Sequence, residues 1–253
     1  MELISGQSSK SLKNSPFISS RRVDSLPMSS LVVSKLIRRT QSNNVVFSGF
    51  GMREGKMISM LPEPEKRMDP LIAACEVMGK SVGRFSLPGH ELYEWISPVF
   101  PTDSERHDRC RLAACLLSDI CWNEHPDYRA EHAFLRTLRL PVSGMDHAQR
   151  VFLALAIYVR YGGDVGDEIT KSVVSLIDGD ALLGAIITGQ ALRLGHVLVG
   201  SAPGLLKLTY LTITDGILML STGHDQSLVE GEVVVRRLRN LAETLNLGYK
   251  IET

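Results

Sequence analysis

The alternation of apolar and polar positions changes character three times along the chain. "LPMSSLVVSKLIRRT" (26–40) carries apolar residues at 31, 32, 33, 36 and 37 and predicts a helix, with Ser29 or Ser30 near its N-terminus and Arg38 and Arg39 at its negative dipole end. "NNVVFSGF" then predicts a turn and a short buried strand over 44–48, and glycines lead into another helix. Helix, strand and helix begin an α/β pattern with too few strands to close a sheet.

From about residue 69 to 198 the period is helical almost throughout. Asp69 is the expected N-cap of "DPLIAACEVMGKSVGRF", with Pro70 at the first helical position, where its missing N–H costs nothing. "GHELYEWISPVFP" follows, stopped by Pro98 or Pro101. "DSERHDRCRLAACLLSDICW" (103–122) has Asp103 or Ser104 as N-cap and a core-facing stripe at 112, 113, 116, 117 and 120. "PDYRAEHAFLRTLRL" and "DHAQRVFLALAIYVRYGG" are two more helices, the second capped by Asp146 and ended by Gly162 and Gly163. Two further helices are expected near 165–177 and 179–198.

After the Gly-Ser-Ala-Pro-Gly break at 200–204 the period falls to two. "LLKLTYLTI", the turn "TDG" and "ILMLST" predict a β-hairpin, "SLVEGEVVVRRLRNLAETLNL" a helix weakened at Gly231, and "GYKIE" a last short strand. A small β-β-α unit therefore closes the chain.

Composition narrows the choice of class. At 253 residues, with 44% hydrophobic and 22% charged, the chain can bury a sizeable core. Lys+Arg and Asp+Glu balance at 28 each, which speaks against a nucleic-acid or membrane role driven by global charge. The first 30 residues hold ten serines and four basic residues, the composition of a transit peptide or of a weakly structured opening segment. Cys75, Cys110, Cys115 and Cys121 lack CxxC spacing and are expected as buried, reduced thiols, which with no secretory signal or run of about 18 apolar residues implies a cytoplasmic location.

Two stretches could carry chemistry. In "SGFGMREG" a glycine-rich turn into a helix N-terminus lets backbone N–H groups approach an anion, phosphate above all; Gly49 and Gly51 could equally serve packing, with Arg53 and Glu54 as a surface ion pair. In "RLAACLLSDICWNEHPDYRAEHAF" the pair Ser118-Asp119 stands where His-Asp phosphohydrolases use adjacent His and Asp to hold metal. A hydroxyl replaces imidazole poorly for a transition metal, so Asp119, His125 and His132 are expected as a cap and hydrogen-bond cluster. His90, His107, His196 and His224 look isolated, and no Walker loop or GxSxG elbow occurs. No self-sufficient catalytic set is found.

"SRRVDSLPMSSLVVSKLI", "VVFSGFGMREG" and "RLAACLLSDICWNEHPDYRAEHAF" together resemble the C-terminal part of the exopolyphosphatase/guanosine pentaphosphate phosphatase (Ppx/GppA) family, over roughly residues 15–245. The resemblance implies a mainly α chain: an opening segment (1–25), the tail end of an actin-like, ribonuclease H-like α/β lobe (26–66), an HD-like helical domain (67–200) and a small C-terminal α/β domain (201–253). It implies that Ser48, Gly49, Gly51, Arg53, Glu54 and Gly55 line one side of a phosphate cleft. Mg²⁺ would serve the family's hydrolysis of phosphoanhydrides in polyphosphate or guanosine pentaphosphate, with ligands outside this chain. The catalytic carboxylates belong to an N-terminal lobe that these residues lack. The expectation is an accessory portion, inactive alone, that binds the phosphate chain and forms a homodimer or joins such a lobe, with no role for nucleic acid or membrane. The alternative is a stand-alone HD-like module binding phosphate-rich ligands or a protein.

Overall fold

Helix-forming sequence dominates the structure, a computed structural model that describes residues 4, 7, 9–14, 18–82, 89–100, 104–200, 204–222 and 231–252. The chain divides into two units, Met1–Met60 and Leu61–Thr253.

The first unit contains α1 (Ser9–Lys13), a 3₁₀ turn (Ser20–Arg22), α2 (Leu26–Thr40) and α3 (Met52–Ser59). α2 begins earlier than Ser29, because Pro27 fits the first turn with its preset φ; Ser30 lies inside the helix and donates its hydroxyl to the Pro27 carbonyl at 2.8 Å. The expected strand at 44–48 does not form. A strand's backbone groups need a neighbour, and the described residues of this unit supply none. The segment is irregular and, against the expected burial, has Val46 90% and Phe47 78% exposed.

The second unit runs α4 (Glu63–Lys66), α5 (Pro70–Val82), α6 (Gly89–Ile96), α7 (Glu105–Leu116), α8 (Pro126–Leu138), α9 (His147–Arg160), α10 (Glu168–Val174) and α11 (Gly179–Val199) before its sheet. Local chemistry sets most helix starts. Asp69 accepts from the Leu71 and Ile72 N–H groups at 2.8 and 3.2 Å, Ser104 from His107 at 3.2 Å and Asp178 from Ala181 at 2.8 Å. Asp146 accepts from Gln149 N–H while the Gln149 side chain accepts from Asp146 N–H, a closed capping box. Arg109 grips Asp69 through two nitrogens and the Gly144 carbonyl through a third, tying α5, α7 and the loop before α9 together.

α9 is the axis of this unit: every residue from Val151 to Arg160 is buried. It packs against α8 and α11, and Gly189 lets α11 approach closely, since a Cβ there would stand 2.6 Å from the Ala156 carbonyl oxygen. Gly79 and Gly89 make the same allowance for the end of α7; their Cβ atoms would meet Leu116 backbone atoms at 2.4 and 2.6 Å. α11 is long and apolar enough to cross a membrane by length and composition, yet 61% of that window is buried in the bundle, as in a core helix.

The sheet has order β1-β2-β3, with β1 (Tyr210–Thr214), β2 (Ile217–Ser221) and β3 (Gly248–Glu252). β1 and β2 form the expected hairpin around Asp215 and Gly216, whose φ angles of 51° and 74° give the backbone twist that tight hairpins require. α12 (Glu232–Thr244) carries the chain across to β3, which pairs parallel to β2. Gly231 is the N-cap of α12 and not an interior weakness. Leu211, Leu218 and Leu220 share one core cluster with α12 residues Leu238 and Leu241 and with the helical bundle. Trp95 reinforces the join by donating its indole N–H to Thr209 at 2.9 Å. The protein is therefore mainly α with a small C-terminal sheet.

Candidate functional site

At the glycine turn, Ser48 accepts from the Phe50 N–H at 3.0 Å and the Glu54 carboxylate accepts from the Gly51 N–H at 2.7 Å. Glu54 is thus the reaching-back half of a capping box whose N-cap, Gly51, has no side chain to return the bond. The N–H groups of Glu54 itself and then of Gly51 hold the Glu54 carboxyl below its ordinary range. The surface ion pair with Arg53 is not what Glu54 makes: its carboxylate is turned to the helix start, and Arg53 is exposed with no acidic partner among the described residues. Ser48, Gly49, Gly51 and Gly55 are exposed as well. None of the three glycines has positive φ; a Cβ at Gly49 or Gly55 would meet open space, and one at Gly51 only Glu54 at an ordinary 3.5 Å.

The second constellation differs from expectation in its position. α7 ends at Leu116, and Ser118 and Asp119 lie in successive tight turns over 117–124. Leu117 and Ser118, Ile120 and Cys121 are all buried there, a pattern broader than one helical face accommodates. His196, which looked isolated, reaches this turn from α11: Nε2 is 2.9 Å from Ser118 Oγ and Nδ1 3.9 Å from Asp119 Oδ1. Arg160, at the end of α9, donates to Asp119 Oδ1 at 3.3 Å and stacks its guanidinium over Tyr161 at 4.6 Å. Tyr161 in turn accepts from the Cys121 N–H at 3.2 Å. A fixed guanidinium thus faces the carboxylate that a metal would need.

His125 and His132 belong to a separate exposed row, and the expected joint cluster with Asp119 is not formed. His125 accepts from the Asp127 N–H at 3.3 Å, His132 lies 3.2 Å from Glu124, and Tyr128 lies between the two rings. Of the other histidines, His90 lies 3.1 Å from Glu76 and His107 stacks on Phe152; His224 is outside the described residues. Among the described residues no three His, Cys, Asp or Glu side chains converge as metal ligands. All four cysteines are free and buried; burial pushes the Cys75 thiol up to about 12 and raises those of Cys115 and Cys121.

Sequence reading also missed a group of arginines beside this turn. Arg193 projects from α11 against Gly162, and Arg237 from α12; they line a recess of about 110 Å³ with Gln190, Val159, Gly163 and Asn240. The available signal was a charged residue inside the apolar stretch "ALRLGHVLV".

The helical bundle and its small C-terminal sheet are the part of the chain that the comparison with known families recognises. The family model described as "Exopolyphosphatase, C-terminal" matches residues 71–253, and the chain belongs to that family. The match begins in α5, so the turn at 48–55 lies outside it. The chain is also similar to Retrograde regulation protein 2 of Saccharomyces cerevisiae, 25% identical over 210 residues, covering 74% of this chain and 33% of that protein. It spans about a third of the length of that curated relative.

Proposed function

We propose that this chain is the accessory, C-terminal portion of a phosphoanhydride hydrolase acting on polyphosphate or guanosine pentaphosphate, and that it releases phosphate only when joined to an actin-like N-terminal lobe. The observation that carries the reading is the apolar surface of the first unit. Leu31, Val32 and Leu36 on α2 are 43–59% exposed, followed by Val46 and Phe47 and by Met52 at 92%. Apolar residues grouped in this way mark a surface that another body covers. A stand-alone module, the alternative, would have this surface packed.

The turn supports the same reading. Gly49 and Gly55 meet nothing among the described residues, and Arg53 is a cation left exposed, which suits a wall of a phosphate cleft completed from the other side. Mg²⁺ does not fit the residues present: Asp119, the carboxylate in the HD-like position, is engaged by Arg160 and flanked by His196. Its ligands would come from the N-terminal lobe. Homodimer formation and a cytoplasmic location belong to the same proposal.

The test is phosphate release from long-chain polyphosphate with Mg²⁺, with guanosine pentaphosphate as second substrate. The purified chain alone should release none, and adding a family N-terminal lobe in trans should restore release. Turnover by the chain alone overturns the proposal.

A further inference from the structure

Two helices bring cationic groups to one recess, and a third arginine, itself paired with Asp119, stands near them. Arg193 comes from α11, Arg237 from α12, and Arg160 at the end of α9 lies close enough to act on Arg193 electrostatically. Gly162, at φ +98°, makes room for the Arg193 guanidinium: a Cβ on Gly162 would stand 2.7 Å from one of its nitrogens. Neither Arg193 nor Arg237 has a carboxylate partner among the described residues. Arg237 Nε is a buried donor without an acceptor. Gln190 Oε1 is a buried acceptor without a donor, and turning that amide over would present two N–H groups to the recess instead.

Burial, then the charges of Arg237, Arg160 and Arg236, push the Arg193 guanidinium down to about 10, which still leaves it fully charged at neutral pH. Partly buried like charges of this kind cost stability unless something negative joins them. The volume selects the occupant's size. At about 110 Å³ the recess holds several times the roughly 30 Å³ that a water takes in the liquid, and it is well short of the roughly 300 Å³ at which sites for larger organic ligands begin.

We infer that the recess formed by Arg193, Arg237 and Gln190 is a binding site for one tetrahedral phosphoryl group, supplied as free orthophosphate or as a unit of a phosphate chain. The site stands on the arginines alone and does not rest on the hydrolase reading. Arg forks match phosphate oxygens in pairs, and Asn240 at the rim adds a polar side chain.

The experiment is thermal unfolding of the full chain in chloride and in increasing orthophosphate at constant ionic strength, with tripolyphosphate as a second titrant. The wild type should show a saturable rise in Tm. Arg193→Met and Arg237→Met should weaken the apparent affinity at least tenfold, yet melt in chloride no lower than the wild type, because each removes an uncompensated charge. Arg236→Met, altering an exposed arginine on the same helix, should keep the response. Saturation by orthophosphate alone identifies the free ion as ligand, and saturation by tripolyphosphate at lower concentration identifies the chain. A rise of equal size in all four proteins is the general effect of an excluded salt and overturns the inference. So does a fall in Tm in chloride for both recess variants with the phosphate response retained, which makes the arginines structural.

Discussion

Glycines in the two units answer to different causes. In the helical bundle, Gly79, Gly89 and Gly189 each face backbone so closely that a Cβ would stand 2.4–2.6 Å from it. In the turn before α3 and in the first turns of α3 itself, Gly49 and Gly55 face open space and Gly51 only its own capping carboxylate. Packing among the described residues accounts for the first set and gives no such reason for the second. Small residues with no close neighbour among the described residues, set beside exposed Val46, Phe47 and Met52, are what the proposed partner surface rests on.

The sharpest way to break this contrast is alanine at both kinds of position. Gly189→Ala and Gly89→Ala should each destabilise the chain by about 1–3 kcal/mol in urea unfolding, because rigid backbone on the opposite side cannot withdraw. A smaller change in both would mean that the bundle is looser than its glycine contacts imply. Asp69→Asn should cost about 1–2 kcal/mol at pH 7, through weaker capping of α5 and loss of the charged grip of Arg109. Its pH dependence has a definite sign. Arg109 first, and the capped N–H groups after it, hold the Asp69 carboxyl below its ordinary value. Its contribution is therefore complete above the unfolded-state value near 4 and is lost as pH falls through the lower folded value. The gap between wild type and Asp69→Asn should stay level from pH 7 to about 5 and close below that.

In the first unit the same substitution acts in the opposite direction. Gly55→Ala should stabilise α3 by about 0.5–1 kcal/mol, because alanine is the better helix former and its methyl meets nothing. The smallest effect belongs to Val46→Ser with Phe47→Ser, which should leave chain stability within about 0.5 kcal/mol while weakening capture of an added N-terminal lobe. If the double variant unfolds the chain, the segment is packed and the contrast fails.

What the sequence revealed depended on how far apart the interacting residues lie. The caps at Asp69, Ser104 and Asp146 were legible because each closes within three residues. The Asp215-Gly216 hairpin was legible for the same reason. The buried strand expected at 44–48 is absent and the segment exposed, because a strand is a property of two segments, and periodicity in one cannot supply the other. His196 and Ser118 stand 78 positions apart, and nothing local to "RLGHVLV" distinguishes a histidine bound for that turn from a satisfied core side chain. The end of α7 at Leu116 contains neither Gly nor Pro, the punctuation that stops helices legibly. Arg193 and Arg237 come from helices separated by the sheet's hairpin, so their meeting is a matter of tertiary packing alone.

The four cysteines make the molecule its own opening gauge. Cys75 lies on α5, Cys110 and Cys115 on α7, and Cys121 in the turn beyond; all are buried, and so shielded from alkylation while the fold is closed. The sheet, α12 and the entire first unit contain no thiol. Labelling kinetics in dilute alkylating reagent therefore time the opening of one half of the bundle without interference from the rest. The order in which the four sites react would show whether α5 and α7 separate from the core together or one helix at a time.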